Sequence, residues 1–190
     1  MEMTAEVIRR LDLAPCDIVA HSFGGRVAIL LAATHPELVR RMVITGGAGI
    51  KKPDSGKRTA KQQLYRSLRG AVNLAERTHL FGDLPDRGRE ALVQRFGSPD
   101  YRALSPEMRK TFNRVISLDL TDQLEKIKAP TLLFWGAQDT ETPLWMGQLM
   151  SERIPDAGLV VEEGAGHFAY LEHSARFLRI LHSFLLEGRE

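Results

Sequence analysis

Ser22, Asp139 and His167 carry the three side chains that nucleophilic catalysis on a carbonyl needs. A hydroxyl is a poor nucleophile at neutral pH, so it requires a base, and the base requires an orienting acid. Ser22 stands in Ala20-His21-Ser22-Phe23-Gly24-Gly25, where an apolar run passes directly into a helical pattern. That is the context of the G-x-S-x-G nucleophile turn, here with alanine first. A serine held there sits in a strained backbone conformation, so the residues two before and two after must be small, as Ala20 and Gly24 are. Gly25 lets the helix pack close to the strand, and the Phe23 N–H at the helix start is placed to donate to an oxyanion. The string by itself is short enough to arise by chance, and a serine at such a turn also suits a plain helix N-cap.

Asp139 follows the apolar run that ends in Trp135-Gly136, and His167 lies in Gly164-Ala165-Gly166-His167, just past the run ending at Glu162. Both positions fall at the carboxyl ends of predicted parallel strands, where open α/β sheets assemble their sites. Taken singly, each residue reads equally well as a loop polar group. Taken together, in the order Ser, Asp, His, they match the order that such a turn carries on a parallel sheet.

The elements that must position them alternate. Ala5, Ile8 and Leu11 share helical spacing over residues 4 to 12, and Ala14-Pro15 breaks it before the strand Asp17 to Ala20. A buried helix runs from Gly24 to His35, stopped by Pro36, and Met42 to Thr45 form a second strand ended by Gly46-Gly47. The stretch from residue 51 changes character: Leu64, Leu68, Val72 and Ala75 recur at helical spacing between basic residues. Further helices are expected over Arg89 to Phe96 and from a Ser105 cap with Pro106 at the first position through Ile116. Strand signals return at Thr131 to Trp135, a helix starts at Thr142-Pro143, a strand covers Gly158 to Glu162, and one closing helix spans Phe168 to Leu186. The pattern predicts an α/β fold with a parallel sheet of about four strands flanked by helices. Its core is residues 1–50 and 121–190, with 51–120 as a helical insertion.

A length of 190 residues with 43% hydrophobic content suits one globular domain. No apolar run reaches the roughly 18 residues of a membrane span, and the amphipathic start is unlike a signal peptide, so a soluble cytoplasmic protein is expected. A single cysteine, Cys16, fits a reducing compartment. The net charge of +2 hides an asymmetry: residues 51 to 114 carry +8 and the remainder −6. Charges at helical spacing form a solvated face more often than they attract an anionic partner. Neither a metal nor a cofactor is expected, since His35, His79, His173 and His182 lack paired ligand spacing. His21, Trp135, Phe134 and Phe168 read first as packing residues. So do Leu64, Tyr65, Leu68, Phe96, Met108 and Phe112 of the insertion, although some could line an acyl pocket.

Three stretches carry a family resemblance: DIVAHSFGGRVAILLAATHPELVRRMVITGGAG, IKAPTLLFWGAQDTETP and IPDAGLVVEEGAGHFAYLEHSARF. With them the chain resembles α/β-hydrolases of the cap-bearing esterase and C–C hydrolase type. The resemblance implies that Ser22 is the nucleophile, Asp139 the acid and His167 the base, with the helical insertion as a cap over the pocket. A serine at position 22 speaks against a dehalogenase, whose nucleophile is an aspartate.

The pattern departs from that family at its start, because the chain opens in the helix that precedes the nucleophile strand. The earlier strands, and the loop whose HG-type motif gives a second oxyanion donor, are not among these residues. Two function classes follow. One is a serine hydrolase acting through an acyl-enzyme on a small, partly apolar ester, thioester or amide. The other is a non-catalytic hydrolase-fold protein that binds a ligand or partner. The expected partner is a small-molecule substrate, with no nucleic acid and no membrane. The nucleophile strand, lying at the sheet edge, is expected to favour a homodimer.

Overall fold

A computed structural model describes residues 1–51, 60–78, 84–97 and 99–186. Within it, β1 (Cys16–His21), β2 (Val39–Thr45), β3 (Thr131–Gly136) and β4 (Ala157–Glu162) form one parallel sheet in the order β1-β2-β3-β4. A parallel sheet covered on both faces needs apolar side chains on both, which is why these strands read as near-continuous hydrophobic runs. Alternation along each strand divides the core into two layers. Met42, Ile44, Leu133 and Trp135 face one side, and Val43, Leu132 and Phe134 the other.

The first layer is covered by α1 (Glu2–Arg10), α2 (Phe23–Thr34), α7 (Thr121–Leu124) and α8 (Leu144–Arg153), through Ile8, Ile29, Leu31, Leu124 and Met150. The second is covered by α9 (Ala169–Glu172) and α10 (Ser174–Leu186), where Phe134 and Phe177 meet edge to face at 5.0 Å. Leu133 is fully buried, so shortening it to alanine should cost about 2–5 kcal/mol. The strand register aligns the carboxyl ends: His21 sits opposite Thr45, Thr45 opposite Phe134, and Gly136 opposite Glu162. The loops after all four strands therefore emerge at one end of the sheet.

Several expectations need correction. The closing helix is two helices, because His173 leaves helical geometry at φ −119°, ψ 43°. Buried Glu162 holds that corner from β4, 3.8 Å from His173 and 3.0 Å from Arg176. The helix expected from Arg89 begins at Leu84, and Pro85 occupies its first turn, where a missing N–H costs nothing. Phe168 is half exposed rather than core, unlike Phe134 and Trp135, which are fully buried.

The chain divides into two compact units, Met1–Lys51 with Leu118–Glu190, and Lys52–Ser117. The second contains α3 (Ala60–Thr78), α4 (Leu84–Phe96), α5 (Pro99–Ala103) and α6 (Pro106–Ile116). Tyr65 packs on Phe96 at 5.5 Å and Tyr101 on Phe112 at 5.7 Å. Arg109 pairs with Glu90 and donates to the Tyr101 and Arg102 carbonyls, and the Ser105 hydroxyl accepts from the Met108 N–H at 3.3 Å. Leu64, Leu68 and Met108, expected as core, are exposed, because helices this few in number enclose little interior. His79 and residues 52–59 of the expected insertion lie outside the described residues.

Candidate active site

β1 ends at His21, α2 begins at Phe23, and Ser22 alone makes the turn with φ 50° and ψ −114°. A non-glycine residue there costs on the order of 1–3 kcal/mol and persists only where the surroundings hold it. They do so through three backbone bonds. The Ser22 N–H donates to the Thr45 carbonyl at 3.1 Å, and the Ser22 carbonyl accepts from the Ala48 N–H at 2.9 Å and the Gly25 N–H at 3.0 Å. A side chain started at Gly24 would put its Cβ 3.5 Å from the Ala20 Cβ, so the two positions cannot both be large. At Gly25 an added Cβ would stand 3.0 Å from Gly47 Cα and 3.2 Å from the Ala48 oxygen. The close approach is thus to the loop after β2, not to the strand that the spacing suggested. The Phe23 N–H is the first of α2, one of those with no intrahelical acceptor.

The Ser22 side chain does not cap α2. Its Oγ lies 2.9 Å from His167 Nε2, and His167 Nδ1 lies 2.8 Å from Asp139 Oδ2. A carboxylate only accepts, so Nδ1 carries the hydrogen and Nε2 is left to accept from the serine hydroxyl. The Asp139 side chain is fully buried. Its cost of burial is offset by hydrogen bonds: Oδ1 accepts from the Glu141 and Thr142 N–H groups, both at 2.9 Å, and Oδ2 accepts from His167 and from the Thr142 hydroxyl at 2.9 Å. Gly46, just past β2, closes the far side. With φ +51°, an added Cβ would lie 3.1 Å from both Asp139 Oδ2 and His167 Nδ1. The structure thus brings Ser22, His167 and Asp139 into one hydrogen-bonded line.

His21 packs its ring against His167 at 4.7 Å, Tyr170 at 4.9 Å and Phe168 at 5.2 Å. Its Nδ1 lies 2.9 Å from the Thr45 carbonyl, which fixes Nδ1 as the protonated nitrogen. Burial pushes its imidazole below the ordinary value, while the bond to Thr45 opposes that shift. The loop bearing His167 is tied from below by Glu172, whose carboxylate accepts the Gly166 N–H at 3.1 Å. Phe23 and Phe168, the residues following Ser22 and His167, are both half exposed.

Sequence reasoning missed Thr142, Gly46 and Glu172. Thr142-Pro143 read as a helix start and Gly46-Gly47 as a strand stop, and both readings hide a second task. Among the described residues, no group of three or more His, Cys, Asp or Glu side chains converges as metal ligands would. None of the described helices is long and apolar enough to cross a membrane.

Residues 2–180 match the model of the alpha/beta hydrolase family. The chain is 30% identical over 193 residues to the 2-hydroxymuconate semialdehyde hydrolase of Pseudomonas putida, covering 99% of this chain and 68% of that protein. It is 29% identical over 197 residues to a pimeloyl-[acyl-carrier protein] methyl ester esterase of Neisseria meningitidis, covering 92% and 70%. The chain therefore spans about two thirds of the length of these relatives. Among solved structures, the meta-cleavage product hydrolase of Pseudomonas fluorescens IP01 superposes with a TM-score of 0.63 at 24% identity, over 96% of this chain and 68% of that one.

Proposed function

The chain belongs to the alpha/beta hydrolase family, and on that footing we propose that it is a serine hydrolase acting through an acyl-enzyme on a small, partly apolar ester, thioester or amide. The observation that carries this reading is the unbroken line from Ser22 Oγ through His167 to buried Asp139. His167 Nε2 takes the Ser22 proton as Oγ attacks the substrate carbonyl, and Asp139 stabilises the imidazolium that forms without itself being protonated. The carbonyl oxygen becomes an oxyanion beside the Phe23 N–H, at the positive end of α2. Collapse of the intermediate expels the alcohol, thiol or amine, which takes its proton from His167 Nε2. Water then repeats the sequence on the acyl-Ser22 ester, giving the carboxylic acid and restoring the hydroxyl.

Half-exposed Phe23 and Phe168, the chain neighbours of Ser22 and His167, support an apolar group on the substrate. The names of the two relatives, a semialdehyde hydrolase and a methyl ester esterase, agree with hydrolysis at a carbonyl carbon. Labelling with a fluorophosphonate tests the nucleophile. The probe should modify the chain at Ser22, and Ser22→Ala should abolish both labelling and hydrolysis of a short-chain aryl ester. Labelling that survives the substitution would remove Ser22 from this role.

A further inference from the structure

Thr142 is buried beside the Asp139–His167 pair, and it contacts the same carboxylate twice. Its N–H donates to Oδ1 at 2.9 Å and its hydroxyl reaches Oδ2 at 2.9 Å. The hydroxyl also lies 2.9 Å from the Gly46 carbonyl and 3.3 Å from His167 Nδ1. One hydroxyl has one hydrogen to give. A bond to a carboxylate is charge-assisted and roughly twice as strong as one to a neutral carbonyl, so the hydrogen goes to Oδ2 and Gly46 is the secondary acceptor. A planar carboxylate bonded at both oxygens by one residue has lost its freedom to rotate. Its Oδ2 is then aimed at Nδ1, and the imidazole in turn is aimed at Ser22.

We infer that Thr142 is a positioning residue that sets the plane of the Asp139 carboxylate, and through it the orientation of His167, in a chain read as a serine hydrolase. The hydroxyl never touches the reacting atoms. Its effect should fall on the chemical step and not on substrate binding, because misalignment of the base is felt when the serine proton moves. The backbone of Thr142 serves the fold as well, since its carbonyl accepts from the Trp135 indole N–H at 2.7 Å. Valine keeps the shape, the N–H and the carbonyl while deleting only the hydroxyl.

Thr142→Val and Thr142→Ser separate hydroxyl from shape. Thr142→Val should lower kcat for a short-chain aryl ester by about tenfold to a hundredfold with KM nearly unchanged, and should slow fluorophosphonate labelling of Ser22 to match. Thr142→Ser should recover most of that loss. Thermal unfolding of both variants shows whether each is folded. A third measurement does not depend on hydrolysis: the low-field proton resonance of the His167 Nδ1–H should be present in the parent chain and in Thr142→Ser, and shifted or broadened in Thr142→Val. Loss of all labelling in the parent chain would sink the hydrolase reading while leaving this resonance to judge Thr142. A Thr142→Val chain with parental kcat and resonance, or a Thr142→Ser chain as impaired as valine, would overturn the inference.

Discussion

Ser22 Oγ and His167 Nε2 stand 2.9 Å apart across 145 positions of sequence, joined because β1 and β4 run parallel and deliver their following loops to the same end of the sheet. Only neutral imidazole can accept the serine proton, so hydrolysis should be suppressed in acid. A kcat/KM that does not fall on acidification would contradict the role of His167. Asp139→Asn, which keeps size but removes the charge and can favour the wrong tautomer, should cut kcat by on the order of 10³- to 10⁴-fold. An asparagine variant with full activity would remove Asp139 from the triad.

Gly46 faces the same pair from the loop after β2. Gly46→Ala should destabilise the chain by about 1–2 kcal/mol from the left-handed backbone alone. It should also displace His167 or Asp139, since the new methyl would lie 3.1 Å from each. Thermal unfolding and the rate of fluorophosphonate labelling should both fall. Parental labelling in Gly46→Ala would show that the pair tolerates the intrusion.

His21 carries a pH dependence of stability with a definite sign. Burial lowers its proton affinity in the folded chain, so the unfolded chain binds more protons and stability increases with pH. That contribution is complete above the ordinary imidazole value of about 6.5. It is lost as pH falls through the lower folded value. His167 and Asp139 also face His21 and act in opposite senses, the first disfavouring its charge and the second favouring it. Phenylalanine would fill the same space among His167, Phe168 and Tyr170 without titrating. The drop in melting temperature between pH 7.5 and pH 5 should therefore be smaller in His21→Phe, and an equal drop would show that His21 contributes nothing to it.

The alternation of strand and helix, the small residues around Ser22, and the placement of Asp139 and His167 after apolar runs were all legible in the sequence, because each depends on residues near in the chain. Gly46 and Thr142 were not legible as site residues. Their roles exist only because Thr45 pairs with Phe134, bringing the loop after β2 against the loop after β3. Local reading assigned each the nearer task of ending or starting an element. The break at His173 was hidden for the same reason, since Glu162 acts on it from β4. Phe168 was misjudged from hydrophobicity alone, which does not reveal that the residue after His167 is half exposed.

β1 has one strand neighbour among the described residues, β2, and so lies at the edge of the sheet. Such an edge is a template for another strand, and natural sheets usually blunt it with charge or proline. Here the strand reads Cys-Asp-Ile-Val-Ala-His, and Val19 is exposed at 53%. Asp17 offers little protection, because it is committed to an ion pair with Arg40. Exposed Met3, Val7, Leu11 and Leu13, on α1 and the segment leading into β1, add apolar surface. We propose that the 190-residue chain self-associates through this edge. Light scattering should show a mass that rises with protein concentration, and Val19→Lys, which places a desolvation-averse charge on the edge, should shift the distribution toward monomer. A parent chain that stays monomeric at high concentration, or a Val19→Lys chain that associates as strongly, would show that the edge is not where copies meet.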